Sequence, residues 1–324
     1  MAAKNRSTLI CLLGGTGFVG RSLASQLVQK GYAVRIPTRS RARNRDLLVL
    51  PGVELVEANV HDERVLARLL DGCESAINLV GILNEPGHDG SGFKLVHTDL
   101  AAKLARACHE TGVSRLLQMS ALKANAERGA SLYLRSKGQA EQAIKEIAGE
   151  ELRYTIFRPS VIFGEEDSFT NRFARLLRFS PVLPLPGADA RFAPVYVEDV
   201  AQAFVTALES SKTHGKTYEL CGPEIYSLLE VVRLIRRELG IKRAIVSVPR
   251  PLGQIQAWVG EYLLPGKPFS LDNFRSLTVA SVCSENGLSE LGITPQSLET
   301  ILPRYIRGGG KQARLARLRQ DAGR

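Results

Sequence analysis

Cysteine is scarce in this chain of 324 residues and badly placed for chemistry. The five cysteines, Cys11, Cys73, Cys108, Cys221 and Cys283, are odd in number and scattered, and no C-x-x-C pair occurs. Such spacing offers neither a zinc site nor a dithiol redox motif, so five reduced thiols in a reducing compartment are expected. Long apolar runs are also missing. No window approaches the ~18 residues of a membrane span. The early run Leu9 to Leu13 is too short for a secretory signal and leads into glycines rather than a cleavage site. A cytoplasmic protein is expected, with peripheral attachment at the inner face of a membrane left open. Internal repeats are absent.

Carboxylates are the minority charge, leaving a formal net charge of +10. The excess gathers in "TRSRARNR" (38–45), "NRFARLLR" (171–178) and the tail 308–324. Clusters of this kind suit anionic groups such as phosphates or lipid headgroups. Neither an aromatic platform nor a reading motif accompanies them, which argues against nucleic acid as a partner.

The chain does hold a regular alternation of apolar runs and helical periods. "STLICLLGG", "AVRIPTR", "GVELVEANV", "SAINLVG", "SRLLQMS" and "RYTIFRPS" read as strands, with amphipathic stretches between them. Strand, helix, strand at short intervals implies right-handed crossovers and a parallel sheet covered on both faces. The expected class is α/β, a doubly wound parallel Rossmann sheet with a smaller, mixed C-terminal cap. The rhythm breaks after Ser160, where "SPVLPLPG" is too proline-rich for a sheet interior. It resumes with the helix "EDVAQAFVTALES" and the strand "KTYELCG". The expected boundaries are therefore interleaved. Residues 1–163 and 194–222 form the dinucleotide-binding domain, 164–193 and 223–307 the cap, and 308–324 a disordered basic tail.

"GGTGFVG" follows the first strand and opens the first helix, placing Gly14, Gly17 and Gly20 around Thr16, Phe18 and Val19. A tight turn, close backbone approach to a pyrophosphate and a helix amino terminus aimed at the anion require this arrangement. An NAD site expects a carboxylate about 20 residues further on. Thr38, Arg39 and Ser40 stand there instead, and a guanidinium suits a ribose 2′-phosphate. The spacing points to NADP(H) rather than NAD(H), with Arg39 and Ser40 as contacts and Arg41, Arg43 and Arg45 as solvated charge.

Taken with "NLVG" (78–81), Ser120 in "QMSA" and "YLRSK" (133–137), the glycine loop resembles that of the extended or atypical short-chain dehydrogenase/reductases, which are NAD-dependent epimerase/dehydratase-like. "RPSVIFGEEDSFTNRF", "PVLPLPG" and "FAPVYVEDVAQAF" look most like the NADPH-binding accessory subunit of respiratory complex I and its bacterial relatives. The likeness runs from about residue 8 to 306. It implies that Val60 and Asp62 lie by the adenine, that Asn78 and Gly81 line the cofactor cleft, and that Pro159, Ser160 and Val161 pack beside the nicotinamide. It also implies Tyr133 as proton donor or acceptor, Lys137 on the nicotinamide ribose, and Ser120 polarising a substrate carbonyl. His97 stands where the family's helix asparagine is expected, which interrupts the proton relay.

Tyr133 and Lys137 are four residues apart on an expected helix and so share a face. A free phenol, with a pKa near 10, is poorly matched to neutral pH, and a lysine one turn away favours the phenolate. Two readings follow. One is an NADP(H)-dependent oxidoreductase acting on a carbonyl or a quinone- or lipid-like ligand. The other is an NADPH-loaded accessory or assembly protein of a membrane respiratory complex. "NRFARLLRF" reads as a cap helix with a solvated basic face or, alternatively, as a surface for anionic lipid or a partner, and "PLGQIQAWVGEYLLPG" as an amphipathic helix with Trp258 in a core or an interface.

Overall fold

The structure is a computed structural model and describes residues 8–262 and 270–307. Its centre is a seven-stranded parallel sheet of β1 (Leu9–Leu13), β2 (Ala33–Thr38), β3 (Val53–Glu57), β4 (Ser75–Asn78), β5 (Arg115–Met119), β6 (Arg153–Pro159) and β11 (Lys216–Leu220). The spatial order is β11-β6-β5-β4-β1-β2-β3, so the direction of winding reverses beside β1. In an open sheet of this type ligands bind at that reversal, outside the carboxyl ends of the strands.

The strands are apolar along their whole length because helices cover both faces. On one face α1 (Phe18–Gln29) and α7 (Val197–Glu209) bury Leu23, Leu27, Val200 and Phe204 against Ile10, Leu12 and Phe157. On the other, α2 (Glu63–Leu70), α4 (Leu100–Thr111) and α5 (Leu132–Ala148) bury Leu66, Leu104 and Ile144 against Cys11, Leu13 and Leu116. Each fully buried side chain of this size contributes roughly 1.5–3 kcal/mol. Helix α4 ends at Gly112, where φ of 75° lets its amide return to the last-turn carbonyls. Ahead of α4, the short α3 (Ser91–Phe93) passes through a wider turn over Lys94–Asp99 that sets His97 inward.

A separate apolar cluster gathers Phe163, Leu177, Leu183, Leu185, Val231, Ile235, Ile301 and Tyr305. It joins α6 (Thr170–Phe179), α8 (Leu228–Glu238), and the strand pair β8 (Val182–Pro186) and β13 (Ala244–Val248). Four two-residue strands, β7 (Ile162–Phe163) with β10 (Val195–Tyr196) and β9 (Arg191–Phe192) with β12 (Tyr226–Ser227), and a short β-bridge link this region to its surroundings. Proline occupies two of the five places in β8, which pairs on one side only. Leu288 and Ile293, within the stretch expected to belong to the cap, instead pack into the core of the central sheet.

The five cysteines are not all free thiols, which corrects the sequence reading. Cys221 and Cys283 form a disulfide with Cα atoms 6.0 Å apart, while Cys11, Cys73 and Cys108 are free and buried. A separation of 62 residues carries no local signature, and only the fold brings the pair within bonding reach. Helix α9 (Arg250–Tyr262) forms as its pattern predicts, but Trp258 on it is 48% exposed and outside any core. The basic tail 308–324 lies outside the described residues.

Candidate functional site

Glycine is required twice where β1 meets α1. At Gly14, φ is 79°, a conformation that side chains rarely adopt. A Cβ on Gly20 would meet the Gly14 carbonyl oxygen at 2.3 Å and the Gly15 Cα at 2.5 Å, so the helix can lie this close to the loop only with glycine there. Gly17 is the N-cap and is followed by Phe18 and Val19, with no side chain capping the first turn. The first-turn amides of a helix have no partner within it, and here they remain for an anion. Arg21 braces the loop from behind by donating to the Thr16 carbonyl at 3.0 Å and pairing with Asp46 at 2.6 Å.

At the end of β2 no carboxylate is present. Ser40 is tied into the turn: its amide donates to Thr38 Oγ1 at 3.3 Å and its carbonyl accepts from Asn44 at 2.9 Å. Arg39 is exposed and has no ion-pair or hydrogen-bond partner among the described residues. The end of β2 thus carries an exposed guanidinium in place of a carboxylate.

Further along the carboxyl edge, Val60 is half-buried after β3, and Asp62 caps α2 through the amides of Arg64 and Val65 at 2.9 and 3.3 Å. Asn78 is buried at the end of β4, where its side chain donates to Gln118 at 2.9 Å and accepts from the Val80 amide at 3.1 Å. Pro159 is buried opposite Leu220, and the Ser160 hydroxyl donates to the Ser281 carbonyl at 2.7 Å. The Val161 carbonyl accepts from the Val195 amide at 3.0 Å. Ser160 thus ties the end of β6 to the segment around Ser281, while Val161 ties it to β10.

The structure brings Tyr133, Lys137, Gly81 and His97 together. Ser131 caps α5 by accepting from the Leu134 amide at 3.1 Å, which places Tyr133 in the first turn and Lys137 one turn later. Lys137 Nζ lies 6.0 Å from the Tyr133 ring centroid and donates to the Met119 carbonyl at 3.3 Å. Burial lowers the Lys137 ammonium to about 8, against an opposing pull from Glu141. Burial also raises the Tyr133 phenol to about 12. Phe93 and His97 stand edge-on to the Tyr133 ring, with centroids 6.0 and 5.5 Å away. A Cβ on Gly81 would sit 3.1 Å from Lys137 Nζ and 3.4 Å from His97 Nε2, so glycine keeps this approach open.

His97 is locked as a neutral imidazole. The Ile82 amide can only donate, and it does so to Nε2 at 3.0 Å, so Nδ1 carries the hydrogen and faces Ser136 Oγ at 2.8 Å. Ser136 Oγ in turn donates to the Tyr133 carbonyl at 2.8 Å. Burial, reinforced by the nearby Lys137 charge, lowers His97 to about 2. The residue in the relay position therefore acts as a scaffold for the lysine and the tyrosine.

Ser120 is buried at the end of β5 with its hydroxyl directed to Glu141, which Arg158 holds through two hydrogen bonds, the one from Nε at 2.8 Å. Glu141 lies one turn beyond Lys137 on α5, and that spacing is the signal in the sequence that points to it. Asp272, on α10 (Leu271–Ser276), was not legible at all. It accepts from the amides of Leu132 and Tyr133 at 2.7 and 3.1 Å across 139 and more residues of chain. Among the described residues no His, Cys, Asp and Glu group is placed to hold a metal ion.

Comparison with known proteins places this geometry in context. The NAD dependent epimerase/dehydratase family model matches residues 10–221. The chain is 30% identical over 319 residues to the mitochondrial NADH dehydrogenase [ubiquinone] 1 alpha subcomplex subunit 9 of Arabidopsis thaliana, covering 92% of this chain and 78% of that protein. It is also 30% identical over 246 residues to the ceramide reductase of Caulobacter vibrioides, covering 75% of this chain and 74% of that one. Among solved structures, gox2253 superposes with a TM-score of 0.75 at 21% identity, over 94% of this chain and 100% of that one.

Proposed function

This chain belongs to the NAD dependent epimerase/dehydratase family, of extended short-chain dehydrogenase/reductase type, and on that premise we propose that it is an NADP(H)-dependent oxidoreductase acting on a carbonyl borne by a quinone- or lipid-like molecule. The observation that carries the proposal is the pairing of Tyr133 with a buried Lys137 beneath Gly81. The residues fit a dinucleotide: the uncapped first turn of α1 and the Gly14–Gly20 cradle would hold the pyrophosphate, and Arg39 the ribose 2′-phosphate. Lys137 would hold the nicotinamide ribose. When bound, the cofactor supplies or accepts a hydride.

Tyr133 donates its phenolic proton to the substrate oxygen as charge develops there, and the Lys137 ammonium stabilises the phenolate left behind. With its hydroxyl on Glu141, Ser120 polarises a carbonyl only by turning away from that carboxylate. The interleaved segments 164–193 and 223–307, apart from the stretch around Leu288 and Ile293 that packs on the central sheet, form the cap beside the site. A reduced carbonyl of lipid character is supported by the likeness to a ceramide reductase.

One observation favours a second reading, an NADPH-loaded accessory protein of a respiratory complex. The likeness to the complex I subunit spans 92% of the chain, and both Ser120 and His97 are already satisfied by neighbours. Mass spectrometry of nucleotide released from purified protein, followed by NADPH oxidation assays with long-chain ketones and quinones, separates the readings. Turnover that Tyr133→Phe abolishes, with nucleotide still bound, supports the oxidoreductase. Bound NADPH that no carbonyl or quinone oxidises overturns it.

A further inference from the structure

Helix α9 is apolar on two opposite sides. Gly253, Ala257 and Gly260 are buried along one side, and a Cβ on Gly253 would meet Phe274 at 2.9 Å and Pro186 at 3.0 Å. At 100° per residue, Ile255, Trp258 and Tyr262 fall on the side diametrically away from this anchor, and Leu252 falls on the flank between the two. Leu252, Ile255, Trp258 and Tyr262 are 56%, 58%, 48% and 50% exposed, a density of large apolar side chains that a solvated helix does not carry. The neighbouring surface continues the pattern. In the β8–β13 pair, the register sets Val182 opposite Ala244 and Pro184 opposite Val246, and all four are exposed while Leu183 and Leu185 point inward.

The charge beside this face is predominantly positive, with Asp189 paired to Arg250 at 3.4 Å and Glu261 on α9 as carboxylates among it. Strand β8 packs against both α6 and α9. Helix α6 carries Arg172, Arg175 and Arg178, no carboxylate, and Phe179 at 82% exposure. From Arg236 to Arg250, five cations stand against Glu238 alone. Among the described residues no helix is long and apolar enough to cross a membrane. A short apolar stripe with Trp and Tyr, flanked by arginines, fits the boundary between acyl chains and anionic headgroups.

We propose that the α9 stripe, with the outer face of β8–β13 and the arginines of α6, docks this protein on an anionic lipid bilayer. Leu252, Ile255 and Trp258 enter the acyl boundary, and the arginines take the headgroup phosphates. The docking does not depend on the chemistry proposed above, though a link to substrate entry does. The stripe ends at Tyr262, which stacks on His88 at 4.6 Å. Both line a cavity of about 150 Å³ that includes Phe93, the neighbour of Tyr133.

Trp258 is the only tryptophan in the chain and therefore reports on this helix alone. The full-length protein is mixed with vesicles of phosphatidylcholine, or of phosphatidylcholine with equal phosphatidylglycerol. Co-sedimentation and tryptophan emission are both recorded. Expected is a blue shift with the anionic vesicles only, quenched by brominated acyl chains. Paired Leu252→Gln and Ile255→Gln should weaken vesicle affinity at least tenfold, the loss of about 1.4 kcal/mol or more of apolar transfer. The double variant should retain its melting temperature, since both side chains are exposed. Sedimentation with unchanged emission would mean adsorption by charge elsewhere and overturns the proposal. So does a failure to bind at low salt, which would assign the face to a protein partner.

Discussion

Asp272 accepts the amide hydrogen of Tyr133 at 3.1 Å, so the first turn of the helix bearing the candidate proton donor is capped from α10. The same carboxylate accepts from Leu132 at 2.7 Å, and Ser276 donates to the capping hydroxyl of Ser131 at 2.9 Å. Asp272→Ala removes two amide acceptors and should cost about 1 kcal/mol of stability, the usual value of a helix cap. If the contact fixes Tyr133 for chemistry, kcat falls more than tenfold while NADPH affinity changes little. Thermal melting and steady-state kinetics separate the effects, and a stability loss with unchanged kcat would reduce Asp272 to a structural cap.

Lys137 makes the free protein sensitive to alkaline pH in an unusual direction. Burial lowers its folded value from 10.5 to about 8. Between these values the unfolded chain holds a proton that the folded chain has shed, so stability rises with pH across that window. Below it, the buried ammonium costs the fold roughly 3 kcal/mol. Lys137→Met should therefore raise the melting temperature at pH 7 by several degrees, with the gain shrinking toward pH 10.5. It should also weaken nucleotide binding, the ordinary exchange of function for stability. Melting curves across pH test this, and a variant less stable than wild type at every pH would refute it.

Arg39 is the residue proposed to select between the two dinucleotides. It is exposed and unpaired among the described residues, at the place where a carboxylate would otherwise take a ribose hydroxyl. Arg39→Asp exchanges a phosphate partner for a hydroxyl acceptor. Isothermal titration should show NADPH affinity falling about 10- to 100-fold, the ~1.5–3 kcal/mol of a charge-assisted contact, with NADH affinity rising. Equal affinity of wild-type protein for both dinucleotides would assign Arg39 to the solvated basic loop.

The sheet, the glycine loop and the Tyr133–Lys137 pair were legible because each rests on short-range pattern. Buried parallel strands read as apolar runs, and a helix sets its fourth residue on the same face. What escaped is long-range. Asp272, on the short α10, meets Tyr133, and Ser281 meets Ser160, across 139 and 121 residues of chain. Leu288 and Ile293 lie within the stretch expected as cap yet fill the core of the sheet, a return that composition does not mark. His97 could be placed but not given a role, since its tautomer depends on the Ile82 amide.

The same blindness hid the Cys221–Cys283 crosslink, and its consequences are measurable. Cys221 follows β11, and Cys283 lies two residues beyond Ser281, whose carbonyl holds the Ser160 hydroxyl. The bond thus fastens the segment that borders β6 to the sheet edge. Denatured protein kept free of reductant should titrate three thiols, those of Cys11, Cys73 and Cys108. Five should titrate after dithiothreitol. Closing a loop of 62 residues stabilises a fold by about 4 kcal/mol on the chain-entropy account, so Cys221→Ser and reduced wild type should melt at similarly lowered temperatures. Adding dithiothreitol to the variant should have no further effect, because Cys11, Cys73 and Cys108 are already reduced and buried. Five thiols without reductant, together with a melting temperature indifferent to dithiothreitol, would show that the two sulfurs are neighbours and not bonded.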